Sequence, residues 1–126
     1  MDEIKLGDMV IAHYKTGTYI GELTSISPSH CLVKILAVLK HPMQGDLHHP
    51  KEANVPLFHE RKALAFREQA NIPKNMVKKY TGEIPDYTQS LREAIDKMKS
   101  SLENDTSEWS AKSLKNLAVL ENEYFK

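Results

Sequence analysis

The sequence predicts a mainly β plus α chain: a β unit over residues 1–82, then an antiparallel helical pair over 83–126. Three observations carry this. Strand formers fill the first forty residues in runs separated by turn signals. Apolar residues after Pro85 recur at helical spacing. Composition changes near Thr81-Gly82: residues 1–80 hold 11 Lys+Arg, 8 Asp+Glu and all six His, whereas 81–126 hold 6 and 9 with no His.

The elements follow in order. Met9-Val10-Ile11-Ala12-His13-Tyr14 reads as a strand, and Lys15-Thr16-Gly17-Thr18 connects it to a second at residues 19–26, a hairpin. Gly21 inside that second strand suggests a bulge of the kind small barrels use at corners. Ser27-Pro28-Ser29-His30 makes the next turn. Residues 31–40 are the most apolar run of the chain, and their β-branched content predicts a central strand. Residues 41–58, with Pro42, Gly45, Pro50 and Pro56, lack periodicity and read as a long loop, an unusual length for so small a domain. Met43, Leu47, Val55, Leu57 and Phe58 argue that the loop folds back onto the body. Over residues 60–71 the helix-favouring Ala63, Ala65, Glu60, Glu68 and Gln69 compete with the alternation of Leu64 and Phe66, so the residues alone leave helix and strand open. Ile72-Pro73-Lys74-Asn75-Met76-Val77 predicts one helical turn.

In the C-terminal unit, Asp86 with Gln89 three residues on is a capping-box pattern, and Tyr87, Leu91, Ala94, Ile95, Met98 and Leu102 form a stripe on a helix of about 18 residues. Asn104-Asp105-Thr106-Ser107 ends it, with Asp105 or Thr106 capping the next helix and Glu108 in its first turn. That helix carries Trp109, Leu114, Leu117, Ala118, Leu120, Tyr124 and Phe125. So short a connection requires antiparallel helices.

Composition narrows function without naming it. With 17 Lys+Arg against 17 Asp+Glu over 126 residues, the strong positive charge typical of nucleic-acid binders is missing. The lone Cys31 cannot close an internal disulfide, which suits a reducing compartment. The acidic start and the lack of any run near 18 apolar residues predict neither a secretory signal nor a spanning helix.

The conspicuous cluster is His41-Pro42-Met43-Gln44-Gly45-Asp46-Leu47-His48-His49-Pro50, with His59 ten residues on. Imidazole and carboxylate suit zinc or a similar ion, so Asp46, His48, His49 and His59 are the candidate set for a metal-dependent enzyme. The spacing matches no known ligand motif, and the plainer reading is that these side chains cap loop backbone or line a partner surface. His59-Glu60-Arg61-Lys62 evokes a phosphorylated kinase histidine, but that chemistry needs a dimeric four-helix bundle. Cys31 opens an apolar strand, where a thiol behaves as a small hydrophobe. The mildly basic first unit, with Tyr14, Tyr19 and Tyr80, would also fit a small RNA-binding barrel; a solvated surface complementing the acidic helices is the simpler account.

The run from Val33 to Pro50, its continuation from Phe58 to Gln69, Ile72-Pro73-Lys74 and the terminal Ser107-Glu108-Trp109 resemble the kinase-associated protein B family, nearly end to end. The resemblance implies an SH3-like barrel followed by helices, and favours strand around residues 63–69 with the turn at Pro73 as a barrel connection. It implies a regulatory protein that supports a membrane sensor histidine kinase feeding the sporulation phosphorelay, without catalysis, metal or cofactor. Such a protein would be cytoplasmic and reach the inner face of the membrane through its kinase. Some family members are described as lipoproteins, but Cys31 here follows Ser27-Pro28-Ser29-His30 rather than an apolar lipobox, so no lipidation is expected. The expected contact face is His41, Gln44, Asp46, His48, His49, His59 and Arg61.

Overall fold

A computed structural model describes residues 4–45, 50–55 and 58–126. Three long strands come first: β1 (Met9–Tyr14), β2 (Gly17–Ile26) and β3 (His30–Lys40). They are followed by β4 (Gln69–Pro73), a single 3-10 turn at Lys74–Met76, and β5 (Val77–Lys79). Two 17-residue helices close the chain, α1 (Tyr87–Glu103) and α2 (Glu108–Tyr124). The sheet is antiparallel in the order β4-β3-β2-β1-β5.

The expected β plus α class is what the structure shows, with one correction. β4 and β5 stand at opposite edges of the sheet order and do not pair, so the sheet is open and the term barrel is too strong. The sheet nevertheless curls, bringing β1 near β4 and the 3-10 turn. Curl requires local breaks in the ladder, and β2 supplies them through register shifts at Thr18/Tyr19, Ile20/Gly21 and Leu23/Ser25. Gly21 is the expected bulge. A Cβ there would stand 2.5 Å from both the Lys34 carbonyl oxygen and Val33 Cγ1, so only glycine lets the strands approach this closely.

The β1–β2 connection is tighter than expected. Lys15 and Thr16 alone form the turn, both at positive φ (45° and 69°), while Gly17 already belongs to β2. Two left-handed residues give the twist a two-residue hairpin needs, although a β-branched threonine is an unfavourable choice for it. The Thr16 hydroxyl offsets part of that cost by accepting from Met43 N–H at 2.9 Å, tying the hairpin tip to the chain after β3.

The second correction concerns residues 63–69. The ladder of β4 begins only at Gln69, preceded by a turn in which Arg67 has φ 68° and Glu68 N–H donates to Ala65 O. Residues 63–65 belong to no ladder, and their backbone bonds go elsewhere, as described below. The helical turn expected after Ile72 is the 3-10 turn, with Pro73 as its N-cap residue.

Burial alternates along β3: Cys31, Val33, Ile35 and Ala37 face inward, and Leu91, Ala94 and Ile95 of α1 join the same core. The larger of these side chains, Val33, Ile35, Leu91 and Ile95, each contribute about 1.5–3 kcal/mol when fully buried. Ser90 of α1 fixes the register of helix on sheet, since its hydroxyl accepts from Val38 N–H and donates to Tyr87 O. Asp86 caps α1 by accepting from Gln89 N–H, the first half of the expected capping box; the Gln89 side chain donates to Glu93 instead of reaching back to the cap. The cap of α2 is Ser107, one residue beyond the expected pair; Asp105 instead accepts from Ser107 N–H and holds that cap in place. Arg92 stacks on Phe125 and Lys99 binds Glu121, so the start of α1 meets the end of α2 and the helices run antiparallel. Ala118 of the expected stripe is exposed, and Ser110 and Ser113 occupy buried positions in its place.

Candidate functional site

The two described arms of the long loop, residues 41–45 and 58–62, lie side by side because Gln44 joins them. Its side-chain amide donates to Pro42 O at 3.0 Å and Arg61 O at 2.9 Å, and its carbonyl accepts from Arg61 N–H at 2.9 Å. Gly45 N–H donates to His59 O, and Arg61 Nε donates back to Gly45 O. Gly45 has φ 99°, and the Phe58 ring lies where a Cβ would be. With 3% exposure, Gln44 is a buried amide whose donors and acceptor are all used, which is how such a group becomes tolerable in an interior.

The clamp is fastened to α2. Trp109 Nε1 donates to Gln44 O at 3.2 Å, Asn116 Nδ2 to His59 O, and Lys112 Nζ to Ala53 O. Met43, Ala53 and Phe58 pack on the cluster of Leu102, Trp109 and Leu117. The loop does fold back through Met43 and Phe58, and Val55 is half-buried; Leu47 and Leu57 lie outside the described residues.

Beneath the clamp, three tyrosine hydroxyls from three elements converge on two consecutive residues. Tyr19 of β2 accepts from Leu64 N–H at 3.2 Å, Tyr87 of α1 donates to Leu64 O at 2.6 Å, and Tyr124 of α2 accepts from Ala63 N–H at 2.9 Å. These bonds replace the ladder that Ala63 and Leu64 lack, while Ala65 N–H donates to the Glu68 carboxylate at 2.8 Å. Burial raises all three phenols: Tyr19 is pushed up to about 12, and Tyr87 and Tyr124 also lie above the usual phenol range. They remain protonated donors and acceptors rather than acids at neutral pH.

His41 completes the network. Its Nε2 meets the Tyr124 hydroxyl at 3.1 Å and its Nδ1 meets Pro42 O at 2.9 Å. A carbonyl accepts only, so Nδ1 carries the proton, and the tyrosine, already accepting from Ala63, donates to Nε2. Desolvation at 0% exposure lowers the pKa of this imidazole, so it stays neutral.

Of the seven residues of the expected contact face, Asp46, His48 and His49 lie outside the described residues. His41 and Gln44 are buried and present nothing to a partner; they work as internal cross-links, which corrects their assignment as contacts. His59 is exposed beside α2, and Arg61 is half-buried with its Nε spent on Gly45 O. Among the described residues no three His, Cys, Asp or Glu side chains could share a metal ion. Cys31 is fully buried in β3, and burial pushes its thiol up, away from the reactive thiolate. The tyrosine cluster was not anticipated: Tyr19, Tyr87 and Tyr124 are 37 or more residues apart in sequence, and only packing makes them neighbours.

Comparison with known proteins bears on these observations. A family described as "Kinase associated protein B" matches residues 14–125. The chain is similar to the "Kinase-associated lipoprotein B" of Bacillus subtilis (strain 168), 61% identical over 125 residues, covering 99% of this chain and 98% of that one. It is also similar to kinase-associated protein B from Bacillus cereus, whose X-ray crystal structure superposes with a TM-score of 0.83 at 46% identity, covering 97% and 98% of the two chains. No described helix is long and apolar enough to cross a membrane.

Proposed function

The chain belongs to the kinase-associated protein B family, and from that premise we propose that it is a non-catalytic binding partner of a sensor histidine kinase feeding the sporulation phosphorelay. The observation that supports this most is the clamp around Gln44. Three hydrogen bonds made by one buried amide, and a tryptophan bond from α2, hold the two described arms of the loop in shape. The titratable groups gathered here, His41, Tyr19, Tyr87 and Tyr124, are kept neutral by burial and used as cross-links, an arrangement suited to a rigid docking face rather than a reaction centre. A binder of this kind changes kinase activity by preferring one kinase state over another.

Capture of purified kinase fragments by the wild type, by Asp46→Ala/His49→Ala and by His59→Ala tests the reading. Capture by the wild type with about tenfold weaker capture by a variant supports both partner and face. Equal capture by all three removes the face assignment and keeps the partner. Absence of capture by any of them overturns the function.

A further inference from the structure

The two edges of the open sheet differ in chemistry. β5 carries Lys78 and Lys79 in its three residues, charges that blunt an edge against pairing with another strand. β4 carries no charge. Its backbone is also open on one side. Glu68 O accepts from Ile35 N–H and Lys74 N–H donates to Ser29 O, so strand alternation turns the backbone of Ala70 and Ile72 toward β3 and that of Gln69, Asn71 and Pro73 away from it. Among the described residues no group bonds that outward backbone, and the three side chains are exposed.

An unprotected edge accepts a strand that matches it, and the chain around Asn71 matches its own reverse. Glu68 stands three residues before Asn71 and Lys74 three after; Phe66 stands five before and Met76 five after. Phe66 and Met76 are 54% and 44% exposed, large apolar side chains with free surface at the two ends of β4. Antiparallel pairing about a two-fold axis at Asn71 sets Glu68 opposite Lys74 of a second copy and carries Phe66 toward its Met76. The backbone fits this register. Asn71 exchanges two N–H···O bonds with its equivalent, and each Gln69 N–H reaches the opposite Pro73 O, the missing proline N–H leaving one bond unmade at each end. With 17 Lys+Arg against 17 Asp+Glu, two copies meet without net repulsion.

We propose that two copies of this chain associate through β4, joining their five-stranded sheets into one with Asn71 on the two-fold axis. The occupant of the edge is a second copy because charge and apolar surface complement each other only when the segment meets its own reverse.

Sedimentation equilibrium of the full chain, at protein concentrations up to about 1 mM, tests this. The expected mass rises from 14.4 kDa toward twice that value with concentration. Asn71→Pro removes the central outward N–H, a change an edge strand tolerates, and should leave a folded monomer. Lys74→Glu, at an exposed position, sets carboxylates opposite each other and should weaken association about tenfold. Cross-linking reads the register. Paired Cα atoms about 5.5 Å apart lie within disulfide reach, so Asn71→Cys should link two chains under mild oxidation. Gln69→Cys should not, its equivalents lying about 13 Å apart along the strands, and Cys31 is too buried to interfere. A protein that sediments as one chain throughout, association unchanged by both Asn71→Pro and Lys74→Glu, or linking equally efficient through Gln69→Cys would overturn the assignment.

Discussion

Removing the Tyr124 hydroxyl strands two buried groups, Ala63 N–H and His41 Nε2, at the cost of one oxygen. Tyr124→Phe is therefore expected to destabilise the fold by about 1–3 kcal/mol, read as a lower urea midpoint with an unchanged slope. His41 makes the same network sensitive to pH. Its folded pKa lies below the ordinary value of 6.5, so below that pH the unfolded chain binds a proton that the folded chain resists. The stability this group contributes is whole above about pH 6.5 and is lost as pH falls through the folded value. Urea midpoints measured from about pH 7 down to pH 5 should fall for the wild type and fall less for His41→Gln; parallel curves for the two proteins would contradict this. A buried imidazole next to proline is invisible as such in the sequence. The same run of histidines that reads as a surface cluster contains one member that is entirely internal.

At the scale of elements, the bulge of β2 and the cap of α2 illustrate two kinds of legibility. Gly21 is readable because a glycine inside an apolar alternating run has few other reasons to be there, and the structure shows β3 backbone where its side chain would be. Gly21→Ala should force the strands apart and cost about 1–3 kcal/mol, checked by thermal denaturation. The α2 cap was less readable because Asp105, Thr106 and Ser107 are all good caps, and geometry selects the last of them. Ser107→Ala is expected to cost about 1 kcal/mol in the same measurement, and Thr106→Ala close to nothing. Residues 63–65 are the harder case. Propensity favours helix and the alternation favours strand, yet the segment is neither, because three tyrosines from elsewhere bond Ala63 and Leu64 and the Glu68 carboxylate takes Ala65 N–H, so no ladder is demanded.

Across the whole molecule, the core does not stop at the composition break near Thr81-Gly82. Leu91, Ala94 and Ile95 of α1 share one buried cluster with Val10, Val33 and Ile35 of the sheet, and the Gln44 clamp leans on Trp109. A fragment of residues 1–82 should therefore show no cooperative thermal transition, whereas the full chain unfolds in one; a folded fragment with its own sharp transition would mean the sheet supports itself. The sequence by itself determined the elements whose signals are local: the hairpin and its bulge, the apolar β3, a helical turn at Pro73, and both helices with most of their buried stripes. It also determined that the middle segment folds back, since Met43 and Phe58 need cover. Only the tertiary structure decided that the sheet stays open, that Ala63 and Leu64 hang from tyrosine hydroxyls, and that His41 and Gln44 face inward. The reason is physical: strand and helix patterns repeat over neighbours in sequence, whereas the partner of a buried polar group is chosen by packing between residues up to 83 positions apart.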